Sequence, residues 1–175
     1  MNAKFLLVAT LVGGIALFVW GAVWHMALPF SNAGMHEFAN NDLVVDVIGE
    51  NAPQRGIYFS PQGIFAAVNI DPGLTDRTAS MGPYMLVQLL TEFAVVFVLT
   101  ILLFHSTFTT ILGRAVYAGI VGLAGALTIH IAHWNWYSFP TSYTLSELAN
   151  NVIGFFLVGL VVGWLMQRMS PARAG

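Results

Sequence analysis

Two histidines, His130 and His133, stand three residues apart near the end of one apolar stretch, and Glu92 lies inside another. On a helix, positions i and i+3 share a face, so both imidazoles can be offered to one metal ion. Two ligands do not complete a site; the third would come from Glu92, His25 or Glu147. Glu92 and His130 are also the pair suited to proton transfer, a carboxyl and an imidazole being common acid and base groups. Haem would take His25 and His130 as axial ligands from different helices. His105, at the opposite end, has no histidine at its own depth, which argues against two haems carrying electrons across a membrane. Gln88, one turn from Glu92, and Asn150 add polar contacts for a metal, haem or quinone.

Each of these residues also has a plainer reading. A carboxyl within a membrane span usually faces protein or water and has a partner, so Glu92 can serve as hydrogen-bonding glue between helices. The two histidines can be anchors in the interfacial aromatic belt that Trp134, Trp136 and Tyr137 build. Thr144-Leu145-Ser146-Glu147 fits a capping box, which would account for Glu147 and start a helix there. Asn150 and Asn151 can bridge helices, Trp20 and Trp24 read as a lipid or packing stripe, and His36-Glu37 reads as a solvated loop pair. There is no P-loop, no G-x-S-x-G and no H-E-x-x-H. Cysteine is absent, so disulfides, thiolate metal sites and dithiol relays are excluded.

Composition dictates the scaffold that carries these groups. The 175 residues are 57% hydrophobic and 8% charged, where a soluble domain carries about 25% charged residues. So few ionisable groups cannot cover a water-soluble fold, and six scattered basic residues make no nucleic-acid patch. An all-α membrane protein is expected: one integral-membrane domain over 1–175, a bundle of four transmembrane helices. The spans are expected at about 5–28, 84–104, 115–132 and 145–166, each near the ~20 residues that cross a bilayer core. The first has an apolar core too long for a secretory signal, whose core is roughly 7–15 residues, and is read as a helix. Lys4, Arg114, Arg168 and Arg173 fall on one side and Arg55 and Arg77 on the other. The positive-inside rule then places both termini in the cytoplasm.

Residues 29–83 are too long for a bare connection and are expected to fold outside the membrane. Asn41 is expected to cap a short helix with an apolar stripe of Leu43, Val44, Val47 and Ile48. GIYFS and GIFAAVNI read as short strands split by Pro61-Gln62-Gly63, and DPGLTDR as a turn. Gly159 and Gly163 form a G-x-x-x-G pair, and Ala115, Gly119, Gly122 and Gly125 recur on the third span, so helices are expected to touch there. The bundle is then tight at that end and splayed at the other. Glu92, about 13 Å below the outer end of its helix, would form the floor of a pocket whose mouth carries His130 and His133.

WGAVWHMALPF, GIYFSP and HWNWYSFP together resemble a family of small bacterial four-span inner-membrane proteins. The resemblance implies the bacterial inner membrane and carries no activity to transfer. Two functions are open. The first is an accessory or structural subunit, held in the lipid bilayer by a larger membrane complex of respiratory or photosynthetic type, or by its own copies. The second is a metal-, haem- or quinone-binding protein or enzyme using the Glu92, His130, His133 and His25 pocket. A transporter ranks below both, since no inverted repeat or broken span is seen.

Overall fold

The computed structural model describes residues 2–69 and 81–169. Its elements run α1 (Ala3–Ala27), α2 (Asn41–Asn51), β1 (Gly56–Phe59), β2 (Phe65–Val68), α3 (Met81–His105), α4 (Ile111–Ala126), a π-helical turn (Leu127–Ile131), α5 (Ala132–Tyr137) and α6 (Thr141–Met169). Helix predominates. Four helices are long and apolar enough to cross a membrane: α1, α3, the continuous run Ile111–Tyr137, and α6. The chain is a multi-pass membrane protein. Its helices outrun the apolar windows because polar caps, and not hydropathy, set their ends: Asn2 accepts from the Phe5 amide at 2.7 Å, and Thr110 from the Gly113 amide at 3.0 Å.

Two compact units divide the chain: Met1–Gly34 with Met85–Gly175, and Met35–Tyr84. In the first, α6 is the centre of an antiparallel bundle. A Cβ on Gly159 would fall 2.6 Å from Ala115 Cα and 2.9 Å from the Arg114 carbonyl oxygen; one on Gly122 would fall 2.9 Å from the Asn151 oxygen. Only hydrogen at these positions lets two backbones approach so closely. Gly163 faces Ile111 and Arg114, and Gly119 faces Val152 and Phe156. Gly125, expected on the same seam, has open space around it. On another side of α6, Gly13 of α1 packs against Val158 and Val162 and also meets Val96 of α3, while Gly14 lies under Phe93. Phe5, Leu99, Leu103, Val96, Val158 and Val162 fill the core between these helices.

The start of α6 corrects the capping-box expectation. The helix begins at Thr141, and the Thr144 amide already donates to the Pro140 carbonyl at 3.0 Å. Proline suits a helix start because its fixed φ is helical and its missing N–H would have had no partner there. Ser138, in the left-handed region at φ 55°, turns the chain between α5 and α6. Thr144 and Glu147 are therefore interior helical residues; the Thr144 hydroxyl has no partner, and Glu147 is freed for another role. Gly34, at φ +82°, lets the chain after α1 pass Pro140, where a Cβ would sit 2.7 Å from the proline Cβ.

In the second unit, Asn40 and not Asn41 caps α2, its side chain accepting from the Leu43 amide at 3.0 Å. The cap lies one residue earlier because only Asn40 has the extended backbone a cap requires. No residue of α2 is buried; of its expected stripe, Leu43 and Val47 are exposed and Val44 and Ile48 half-buried. β1 and β2 pair as an antiparallel hairpin, Gly56 opposite Val68 and Phe59 opposite Phe65. Gly63, at φ +87°, makes the turn between them. The DPGLTDR turn lies outside the described residues.

Candidate functional sites in the spans

Packing registers fix the depth of each polar residue in the first unit. Phe93 stands against Gly14, Gly13 against Val158, and Gly159 against Ala115 and Ala118. Glu92 therefore lies near the level of Ala118 on the third span. His130 is twelve residues further along that span, roughly 15–18 Å along the helix axis. The residues expected to share one pocket divide between two places.

The first place is on α3. Gln88 is exposed and donates through its amide to the half-buried Glu92 carboxylate. Thr91, also exposed, donates its hydroxyl to the Val87 carbonyl at 2.9 Å. Gln88 and Thr91 lie on the exposed side of α3, whereas Glu92 is in register with Val96, Leu99 and Leu103 of its packed side, one turn before Val96. No group from another helix bonds to Glu92 among the described residues.

The second place is around His130 on the third span. The π-helical turn Leu127–Ile131 inserts a wider turn into the third span and rotates the last residues of that span about its axis; such turns often occur at functional sites. His130 lies within it. Its Nε2 is 3.4 Å from the Asn151 amide nitrogen, a long contact, and its Nδ1 is buried without a partner. Asn151 also donates to the Glu147 carbonyl at 2.8 Å. The Glu147 side chain, only 8% exposed, accepts from the Asn150 amide at 3.5 Å and has no cationic partner among the described residues. The His133 ring stands edge-on to His130 at 6.3 Å and tilted against Phe139 at 5.1 Å, which leads on to Tyr143.

α1 closes one side of this end. Trp20 donates from its indole to the Asn150 carbonyl at 3.2 Å, and Ser146 donates to the Phe30 carbonyl at 2.8 Å. Trp24, one turn beyond Trp20, is buried with its indole N–H unpaired. His25 points outward, being exposed, and only its carbonyl is engaged, by Ser31. Among the described residues no three His, Cys, Asp or Glu side chains group closely enough for a metal ion. An imidazole, a carboxyl and two amides at this end can still hydrogen-bond a small polar ligand or relay a proton through one.

Sequence reasoning offered Glu147 as a third metal ligand and then discounted it through the capping box, and it read Asn151 as a helix bridge without naming His130 as its partner. The clue to the first was Pro140, which starts the helix early and leaves the carboxyl without a cap to make. The chain matches no protein-family model, no curated protein and no solved structure.

Proposed function

We propose that this chain is a small subunit of the bacterial inner membrane that works by docking, through the flank of α3, onto another membrane-embedded protein. What carries this reading is the exposed Gln88 and Thr91 near mid-membrane on α3, with the half-buried Glu92 carboxyl that Gln88 bonds and that no other helix among the described residues satisfies. A carboxyl facing hydrocarbon is costly, about 2.5–3.5 kcal/mol for a charged residue at a span centre on insertion scales, and such groups face protein in most membrane proteins. The expected topology has both termini in the cytoplasm and residues 29–83 outside. A respiratory or photosynthetic complex is the type of assembly that takes such accessory subunits. Native electrophoresis after extraction in a mild detergent tests it. A species well above 19.0 kDa that Glu92→Leu shifts downward supports docking; a lone small species from wild type refutes it.

A second reading is favoured by one observation, the unpartnered Nδ1 of His130 beside the buried Glu147. Here His130 and Glu147 at the π-turn end would hold a haem, quinone or metal, which would supply redox or Lewis-acid chemistry, His130 orienting it and Glu147 balancing charge, with further metal ligands from outside the described residues. Visible absorption and elemental analysis for Zn, Cu and Fe on gently purified protein test this directly. A band or stoichiometric metal lost in His130→Ala supports it, and retention of either in that variant removes His130 from the site.

A further inference from the structure

We propose that the second unit, Met35–Tyr84, lies on the bilayer that the chain spans, with the exposed face of its hairpin seated among the lipid headgroups. The inference is independent of what α3 docks against. β1 and β2 pair Ile57 with Ala67 and Phe59 with Phe65. Side chains alternate across a strand, so these four share one face, and Tyr58 and its partner Ala66 belong to the other. Tyr58 and Ala66 are half-buried. On the first face Ile57 is 66% and Phe59 67% exposed, Ala67 is exposed as well, and Phe65 is half-buried. A hairpin with one face in water carries polar residues on that face. Within the described strands this one carries none.

Attachment names the apolar surface that is at hand. Gly34 is held against Pro140 and Ser142, where α6 begins. Ser31 is buried, its hydroxyl donating to the carbonyls of His25 and Leu28 at the end of α1. The chain is thus pinned to the end of the spans up to the residue before Met35, where the second unit starts. At its other limit that unit runs to Tyr84, inside α3, itself one of the helices able to cross a membrane. A segment fastened at both limits to span ends is held at the membrane surface, where lipid is always present and a protein partner has to be recruited. Met35 and Phe38, the first large apolar residues past the attachment, are 56% and 63% exposed. Charge agrees with this placement. Asp42, Asp46 and Glu50 recur every four residues and form one acidic face of α2. Such a face belongs in water and away from phosphates, so the unit has a wet side as well as an apolar one, the pattern of segments that lie in the interface.

The absence of cysteine allows a nitroxide label to be placed at one position at a time. Ile57→Cys and Ala67→Cys put it on the apolar hairpin face, and Asp46→Cys puts it on the acidic face of α2. Each full-length chain is reconstituted into phosphatidylcholine vesicles. The label's collisions with oxygen, which concentrates in lipid, are compared with those of a nickel chelate that stays in water. The expected result is an oxygen-to-nickel ratio at Ile57 and Ala67 several times that at Asp46. Adding Ile57→Asp to the Ala67→Cys chain should bring its ratio down toward the Asp46 value. Ratios at Ile57 and Ala67 equal to that at Asp46, with the nickel chelate reaching all three, put the hairpin face in water and overturn the proposal. Few collisions with either reagent at Ile57 and Ala67 mean that protein covers the face, which overturns lipid as its occupant. A lipid-like ratio at Asp46 as well removes the wet side and overturns the proposal too, as does a ratio at Ala67 that Ile57→Asp leaves unchanged.

Discussion

The seam between α4 and α6 makes a quantitative demand. At Gly159 a methyl group would lie 2.6 Å from Ala115 Cα, 2.8 Å from Ala118 Cβ and 2.9 Å from the Arg114 oxygen. Ordinary carbon contacts are about 3.5–4.0 Å, so Gly159→Ala must push the two helices apart by roughly an ångström. Most of the obstruction is backbone, which cannot swing aside, and the neighbouring contacts at Gly122 and Gly163 would loosen together. Overpacking costs about 1–3 kcal/mol, and this site belongs at the upper end. Helix propensity returns up to about 1 kcal/mol for replacing glycine, leaving a net loss near 2 kcal/mol. Gly125, six residues beyond Gly119 on the same span, has nothing within 4 Å. Gly125→Ala should be neutral or stabilise by up to about 1 kcal/mol. Reversible unfolding in mixed micelles, followed by tryptophan fluorescence, compares them. If the two variants unfold within about 0.5 kcal/mol of each other, a range typical of surface changes, the close approach of α4 and α6 is refuted.

The other expectations concern the His130 end. Trp20→Phe removes an indole hydrogen bond to the Asn150 carbonyl and should cost about 1 kcal/mol beyond lost packing. Trp24→Phe, whose indole N–H has no partner, should cost less in the same unfolding assay; the reverse order would show that the two indoles are wrongly assigned. Glu147→Gln keeps the shape of a buried side chain that has no cation beside it, so its unfolding free energy should equal or exceed wild type. A large loss would reveal a charge partner. For His130 and Asn151, a double-mutant cycle should give a coupling of about 0.6 kcal/mol, the average for polar contacts within membrane proteins. A coupling of zero would mean that their 3.4 Å contact carries no energy.

The spans were legible because hydropathy and length are local properties. Their ends were less so. Thr144 and Glu147 satisfied the capping-box pattern, but the carbonyl of Pro140 took the Thr144 amide first, and no pattern on the side chains alone registers that. The contacts of Gly159, Gly163, Gly122 and Gly119 followed their spacing, since small residues one turn apart leave a groove that another helix fills. Gly125 shared the spacing and not the contact, because the seam runs on through the buried Ala126 to His130 and Asn151 while Gly125 is turned away from it. Local strand propensity also gave the hairpin of GIYF and FAAV. The polar residues were hardest to place. Their depths were readable from helix rise, but whether Glu92 and His130 meet depends on which helices adjoin at each level. The π-turn at Leu127–Ile131 has no side-chain signature that the sequence displays.

Oxygen accessibility of a spin label at Thr91, in chains reconstituted into lipid bilayers, asks whether the α3 flank faces protein or acyl chains. Label at Leu90 supplies the lipid-facing reference. Docking predicts that Thr91 is shielded relative to Leu90 and that Glu92→Leu raises its exposure. Equal accessibility at the two positions would put Gln88 and Thr91 in lipid and contradict the role proposed for them.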